Sequence, residues 1–346
     1  GMMTGLFIMS AGALLFIPAA LTRTYIIFLS GLFIMGCGLA IMQTASNPYI
    51  TLLGPLESGA KRISIMGICN KSAGIVATLL FGVMALSDGD ALMAKLQSLD
   101  DQQRAIMLDE LARRVVIPYI GMACILAFIG IMVRISKLPE LDPDKKNVAS
   151  VNNGTEKRTS IFQFPYLLLG VIAIFCDVGL EIVAGDTIIS YGLSQGIPVS
   201  IAKYFTSMTM VAMIIGYTAG IITIPRYISQ STALKICAVL GIILTIAAVI
   251  SPKMGSVVFV ALLGMANSLI WPSVWPLAIE GLGRFTGIGS SLLIIGNLGG
   301  ALVPLLYGRL ADAVDPKTAY LILIPLYFYV LFYALKGHKT GKYLKV

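Results

Sequence analysis

Ten stretches of this chain are each apolar enough, and long enough, to cross the hydrocarbon core of a bilayer. They cover residues 4–20, 25–53, 63–86, 115–133, 164–192, 203–224, 235–251, 256–279, 286–307 and 318–335. About 20 residues of helix, rising 1.5 Å each, match a core of roughly 30 Å. Hydrocarbon offers a backbone no water to bond, so each stretch must satisfy its own N–H and C=O groups by coiling into a helix. The prediction is an all-α integral membrane protein of about ten transmembrane helices. Composition agrees, because 57% of the 346 residues are hydrophobic and only 12% are charged. That is too little charge to cover a soluble surface of this size.

The net charge of +8 does not point to nucleic acid, because the basic residues lie in short clusters between apolar runs, where they set topology. With the amino terminus inside, the inner loops and tail hold fifteen Lys and Arg and the outer loops nine. An even number of spans then puts both termini in the cytoplasm. The five cysteines all fall within apolar runs without CxxC spacing, and read as small packing residues. His338 stands alone in the basic tail, so no histidine metal site and no cofactor is expected.

Two connections are long. Segment 87–114 has leucines at helical spacing (Leu92, Leu96 and Leu99, then Leu108 and Leu111), which predicts an outer helical hairpin. Segment 136–162 is charged and rich in Pro, Asn, Ser and Gly, the composition of a flexible cytoplasmic linker. It divides the chain into a four-span half, 1–135, and a six-span half, 163–346. Transporters built as two six-span halves joined by such a loop make the first half incomplete by two leading spans. On that reading, two more in-frame apolar spans would be found upstream of Met2 in the gene.

Polar side chains inside such spans are costly unless they face a bundle interior or an aqueous cavity. Gln43 and Asn47, in "QTASNP", are four apart and share a helix face, and Pro48 frees the carbonyl of Thr44. Stitching neighbouring helices is the other use of such residues. Asn70 and Lys71 lie inside the next span, with Gly67 and Gly74 leaving space on the Asn70 face. Lys71 is too deep to reach the interface, so it faces water or a carboxylate. Asp177 and Glu181 share a face near mid-membrane, while Asp186 is rotated away toward the outer end. Asn267, Trp271 and Trp275 follow in a segment opened by Pro272 and Pro276, and Asn297 lies beside the Gly296/Gly300 packing pair. Indoles offer a face to a sugar or an anchor at the membrane boundary. Amides and acids around one cavity suit a neutral polyhydroxylated ligand, since Asn and Gln both donate and accept.

The stretch "QTASNPYITLLGP…KRISIMGICN" resembles the signature of the fucose permease-like sugar:cation symporters of the major facilitator superfamily, and Arg62 and Asn70 keep its arginine-to-asparagine spacing. "EIVAGDTIISYG" and "WPLAIEGLGRFTGIGSSLLI…GGALVPLLYG" are similar to its glucose/galactose branch. The resemblance implies a twelve-span fold, transport of a hexose such as glucose, galactose or fucose across the bacterial inner membrane, and coupling to a proton, with sodium the other possible ion. It places Asn70 among the sugar contacts. Gln43 falls where fucose permease has a titratable glutamate, and an amide carries no proton. A coupled proton must then sit on a carboxylate elsewhere, with Glu181 first and Asp177 beside it. The full set of expected substrate residues is Gln43, Asn47, Asn70, Lys71, Glu181, Asn267, Trp275 and Asn297, with membrane lipid as the surrounding partner. A membrane-embedded transferase and a non-transporting fragment are the other readings.

Overall fold

The computed structural model describes residues 1–86, 100–136 and 159–342, and among them every regular element is helical. In chain order these are α1 (Met2–Thr22), α2 (Tyr25–Leu52), α3 (Gly59–Leu86), α4 (Asp101–Arg114), α5 (Val116–Ile135), α6 (Pro165–Asp186), α7 (Ile188–Ser194), α8 (Val199–Ala202) and α9 (Phe205–Thr223). They continue with α10 (Gln230–Ile250), α11 (Lys253–Asn267), α12 (Ile270–Ile279), α13 (Thr286–Ile295), α14 (Gly299–Ala313), α15 (Pro316–Ala319) and α16 (Leu323–Leu335). Nine candidate spans among the described residues are long and apolar enough to cross a membrane. The tenth predicted stretch, 63–86, lies in α3, a 28-residue helix, about 42 Å long at 1.5 Å per residue.

Each predicted run became helix, some of them broken. The 256–279 run divides into α11 and α12 at Ser268–Leu269. There Pro272 has no N–H to return to the Ser268 carbonyl. The 286–307 run passes through a 3-10 turn at Gly296–Leu298, which contains Asn297. Of the predicted outer hairpin, the second arm is α4, started by Asp100, whose side chain accepts from the Gln102 N–H at 2.9 Å. Its first arm, 87–99, and linker residues 137–158 lie outside the described residues.

The described chain forms two compact units, Gly1–Ser46 with Gly74–Glu140, and Asn47–Ala73 with Leu141–Val346. In the first, α1 packs along α5, and Phe16 stacks on Tyr119 at 4.5 Å. Ser10 Oγ donates to the Ala123 carbonyl at 2.8 Å. In the second, α6 is the central helix, packed by α11, α12, α13, α14 and α16. These units do not coincide with the halves 1–135 and 163–346. Residues 47–73 join the later helices because their side chains reach those helices: Gln230 Nε2 donates to the Leu56 carbonyl at 2.5 Å, and Lys71 pairs with Glu181.

Large apolar residues stay on the outside, with Ile26 75% and Phe33 73% exposed on α2. Such a surface is stable only against lipid, where exposed hydrocarbon carries no penalty. This is an integral membrane protein. His338, in the basic tail, is buried, with Nδ1 3.0 Å from the Tyr333 carbonyl.

Candidate functional site

The larger unit holds nearly all the polar positions singled out by the sequence. Despite Pro48, α2 continues to Leu52, and Thr51 Oγ1 donates to the Asn47 carbonyl at 2.7 Å. Asn47 itself is buried, and its amide nitrogen has no hydrogen-bond partner. Beyond α2 the chain turns through Gly54 and Pro55, and Arg62 clamps that turn. Its Nε donates to the Ile50 carbonyl at 2.8 Å, Nη1 to Ser58 Oγ at 2.6 Å, and Nη2 to the carbonyls of Thr51 and, at 3.0 Å, Pro55. The carbonyls of Ile50 and Thr51 are among those a helix end leaves unsatisfied, and a cation there also opposes the negative end of the helix dipole.

Farther along α3, Asn70 is exposed and Lys71 is largely buried. Lys71 Nζ forms an ion pair with Glu181 on α6, the two side chains being 16% and 27% exposed. Asp177, one turn earlier on α6, differs sharply. It has no exposed surface, and neither carboxylate oxygen has a hydrogen-bond partner. It lies within electrostatic reach of both Glu181 and Lys71. Asp186 ends α6 and is exposed.

Two tyrosines that the sequence did not mark complete this region. The ring of Tyr217 on α9 fills the space beside Gly67, where a Cβ would lie 2.6 Å from its Cζ. The expected opening on the Asn70 face is therefore closed at Gly67. Tyr217 is also within reach of the charges of Glu181 and Asp177. On α16, Tyr327 donates to Asn267 Oδ1 at 2.6 Å, and both residues are buried. A tyrosine in an apolar run looks like any other aromatic core residue, so only the fold reveals these two.

The remaining expected positions lie as follows. Trp275 has no exposed surface and stacks on Trp271 with centroids 5.4 Å apart. Asn267 is occupied by Tyr327, and Asn297 is half-buried in its 3-10 turn. Gln43 is half-buried on the part of α2 that belongs to the smaller unit. The five cysteines are unpaired, and no group of three metal-binding side chains occurs among the described residues.

Charge held inside a many-helix membrane bundle, with other helices of the bundle broken beside Asn267 and at Asn297, is the architecture of a secondary transporter. The sequence profile of the Major Facilitator Superfamily matches residues 1–304. The chain belongs to that superfamily, and is therefore a transporter rather than an enzyme.

Among its relatives, a glucose/galactose transporter of Brucella abortus is 33% identical over 347 residues, covering 98% of this chain and 78% of that protein. The L-fucose-proton symporter of Escherichia coli K12 is 28% identical, covering 96% of this chain and 76% of that protein. The crystal structure of the Escherichia coli fucose:proton symporter superposes with a TM-score of 0.80 at 27% identity, over 96% of this chain and 82% of that one. The proton:xylose symporter XylE, at 15% identity and a TM-score of 0.67 over 96% of this chain and 79% of that one, shares the fold.

Proposed function

We propose that this protein is a symporter that carries a neutral hexose, such as glucose, galactose or fucose, across the bacterial cytoplasmic membrane by alternating access, together with a proton. The observation that carries the neutral substrate is the Lys71–Glu181 pair. An anionic substrate needs a cation to meet it, and the lysine about three turns into α3 is already engaged by a carboxylate. What is left for a ligand is the exposed Asn70 amide and the partly exposed Glu181 carboxylate. These groups donate to and accept from hydroxyls. The Brucella glucose/galactose relative and the Escherichia coli fucose-proton relative support a hexose, and the second supports the proton.

In this reading Asn70 and Glu181 contact the sugar, and Gln43, Asn47 and Asn297 contribute hydrogen bonds during the cycle. Asn267 and Trp275 shape the wall behind them. The segments 1–135 and 163–346 are the halves that move, the linker 136–162 is cytoplasmic, and both termini face the cytoplasm.

The test is thermal unfolding of the purified protein in detergent with graded free hexoses, N-acetylhexosamines and sugar phosphates, followed by uptake into proteoliposomes. Stabilisation by one or more neutral sugars, and accumulation of the same sugar under a pH gradient, is the expected result. Stabilisation by sugar phosphates alone overturns the neutral substrate. Accumulation driven only by sodium overturns the proton.

A further inference from the structure

Three charged side chains meet inside the larger unit: two carboxylates and one ammonium. Lys71 pairs with Glu181, which leaves Asp177 fully enclosed without a hydrogen bond or counter-ion of its own. Among the described residues, the groups on neighbouring helices that feel the charges of this cluster bring no further positive charge. They are Tyr217 from α9, Cys237 from α10 and Tyr327 from α16, with Cys176 adjacent on α6. Asp186 also feels Glu181 and Lys71, but it is exposed at the end of α6, where water solvates it. Together Lys71, Glu181 and the enclosed Asp177 have a formal charge of −1.

An apolar interior tolerates a neutral set far better than a net charge. Resting on the sugar-symport reading above, we propose that Asp177 is the site of the coupled proton. Lys71 is a built-in counter-ion for Glu181, and it sets the stoichiometry at one proton per sugar. With the proton on Asp177 the cluster is neutral and the bundle can close over its cargo. The step is a simple acid–base exchange. An O–H bond forms on an Asp177 carboxylate oxygen as a proton arrives from water on one side, and the same bond breaks as the proton leaves to water on the other. Nothing is oxidised or reduced.

The pair matters because it cancels one carboxylate permanently. Without Lys71, two acids would need protons. At a pH difference of one unit, one coupled proton supports about a tenfold sugar gradient and two support about a hundredfold.

The experiment uses the full-length protein in proteoliposomes, with sugar counterflow, pH-driven accumulation and proton-to-sugar ratio measured side by side. Wild type should show a ratio of one. Asp177→Asn should keep counterflow while losing pH-driven accumulation. The double variant Lys71→Met, Glu181→Gln should bind sugar more weakly, because it loses the Glu181 contact, yet the sugar it still carries should move at a ratio of one, because its cluster also needs a single proton. Lys71→Met alone should raise the ratio toward two. An Asp177→Asn variant that still concentrates sugar under a pH gradient overturns the proposal, as does one that is folded by size exclusion yet loses counterflow. Sodium-driven accumulation that vanishes in Asp177→Asn also overturns it, since the site would then hold a metal ion.

An independent readout is the infrared carbonyl band of a protonated carboxylic acid in the purified protein. The band should be present in wild type and absent in Asp177→Asn. If it behaves so while no sugar is transported, the substrate reading fails and the proton site stands. If sugar is transported but the band is unchanged by the substitution, the proton site fails alone.

Discussion

Arg62 shows how much structure one side chain can organise at the C-terminal end of α2. It spends its guanidinium on three backbone carbonyls and one hydroxyl, joining the end of α2 to the start of α3. Charge-assisted bonds of this kind contribute more than neutral ones, so Arg62→Ala should lower stability on the order of 2–3 kcal/mol in denaturant or thermal unfolding. Arg62→Lys should recover less than half of that, because a point charge cannot reproduce the planar fork. At the other end of the chain, Asp315 starts α15 by accepting from the N–H groups of Lys317 and Thr318, both at 2.9 Å. The Thr318 hydroxyl and N–H hold its carboxyl below the usual carboxylate range. A depressed value in the folded state means the stabilisation is present above the unfolded value of about 3.9 and is lost as pH falls through the folded one. Asp315→Ala should cost about 1 kcal/mol at neutral pH, and the gap to wild type should narrow below about pH 4.

At the scale of helices, the position of α6 decides where Asp177 and Glu181 sit, and close backbone approach fixes α6. At Gly299 an added Cβ would lie 1.9 Å from the Phe175 carbonyl oxygen, so no side chain fits without the helices separating. Gly299→Ala should therefore destabilise by about 2–3 kcal/mol, and should weaken sugar binding with it. Gly308, in the same helix α14, has nothing within 4 Å of its would-be Cβ. Gly308→Ala should be neutral or stabilising by up to about 1 kcal/mol, because alanine loses less backbone freedom on folding. Melting curves of the two variants separate the effect of space from that of helix propensity. The Gly296/Gly300 pair was legible in the sequence as a packing device, and both glycines do meet α6, at Ile174 and Val178. That Gly299 makes the closer approach depends on how α14 is rotated, which spacing does not specify.

The whole molecule carries its own prediction, about topology. Single cysteines at Asp88 and Ser150, in a cysteine-free background, should label from opposite sides of the membrane, with Ser150 on the side of both termini. Labelling of Ser150 from outside and Asp88 from inside would overturn the charge-based orientation, and labelling of both from one side would overturn the span at 115–133. The compact units raise a second point at this scale. Residues 47–73 lie before the linker in sequence yet pack with the helices that follow it. Loop composition marks where a chain is free to bend. It does not say which side chains will reach across to the other segment.

Read alone, the sequence determined which segments cross the membrane and that their interior carries charge. Those properties are local: some 20 residues of hydropathy decide a span, and a single acid or lysine within it is visible at once. Resemblance to a sugar:cation symporter family was legible for the same reason, since its motifs are short and contiguous around Arg62 and Asn70. Only the tertiary structure decided which partners the buried charges take. Lys71 and Glu181 are 110 residues apart. Asp177 and Glu181 looked equivalent by spacing, one turn apart on one face. Folding gave Glu181 an ion pair with Lys71 and enclosed Asp177 without a hydrogen bond, because a rise of one turn, about 5.4 Å, is enough to move a side chain out of direct contact with a lysine.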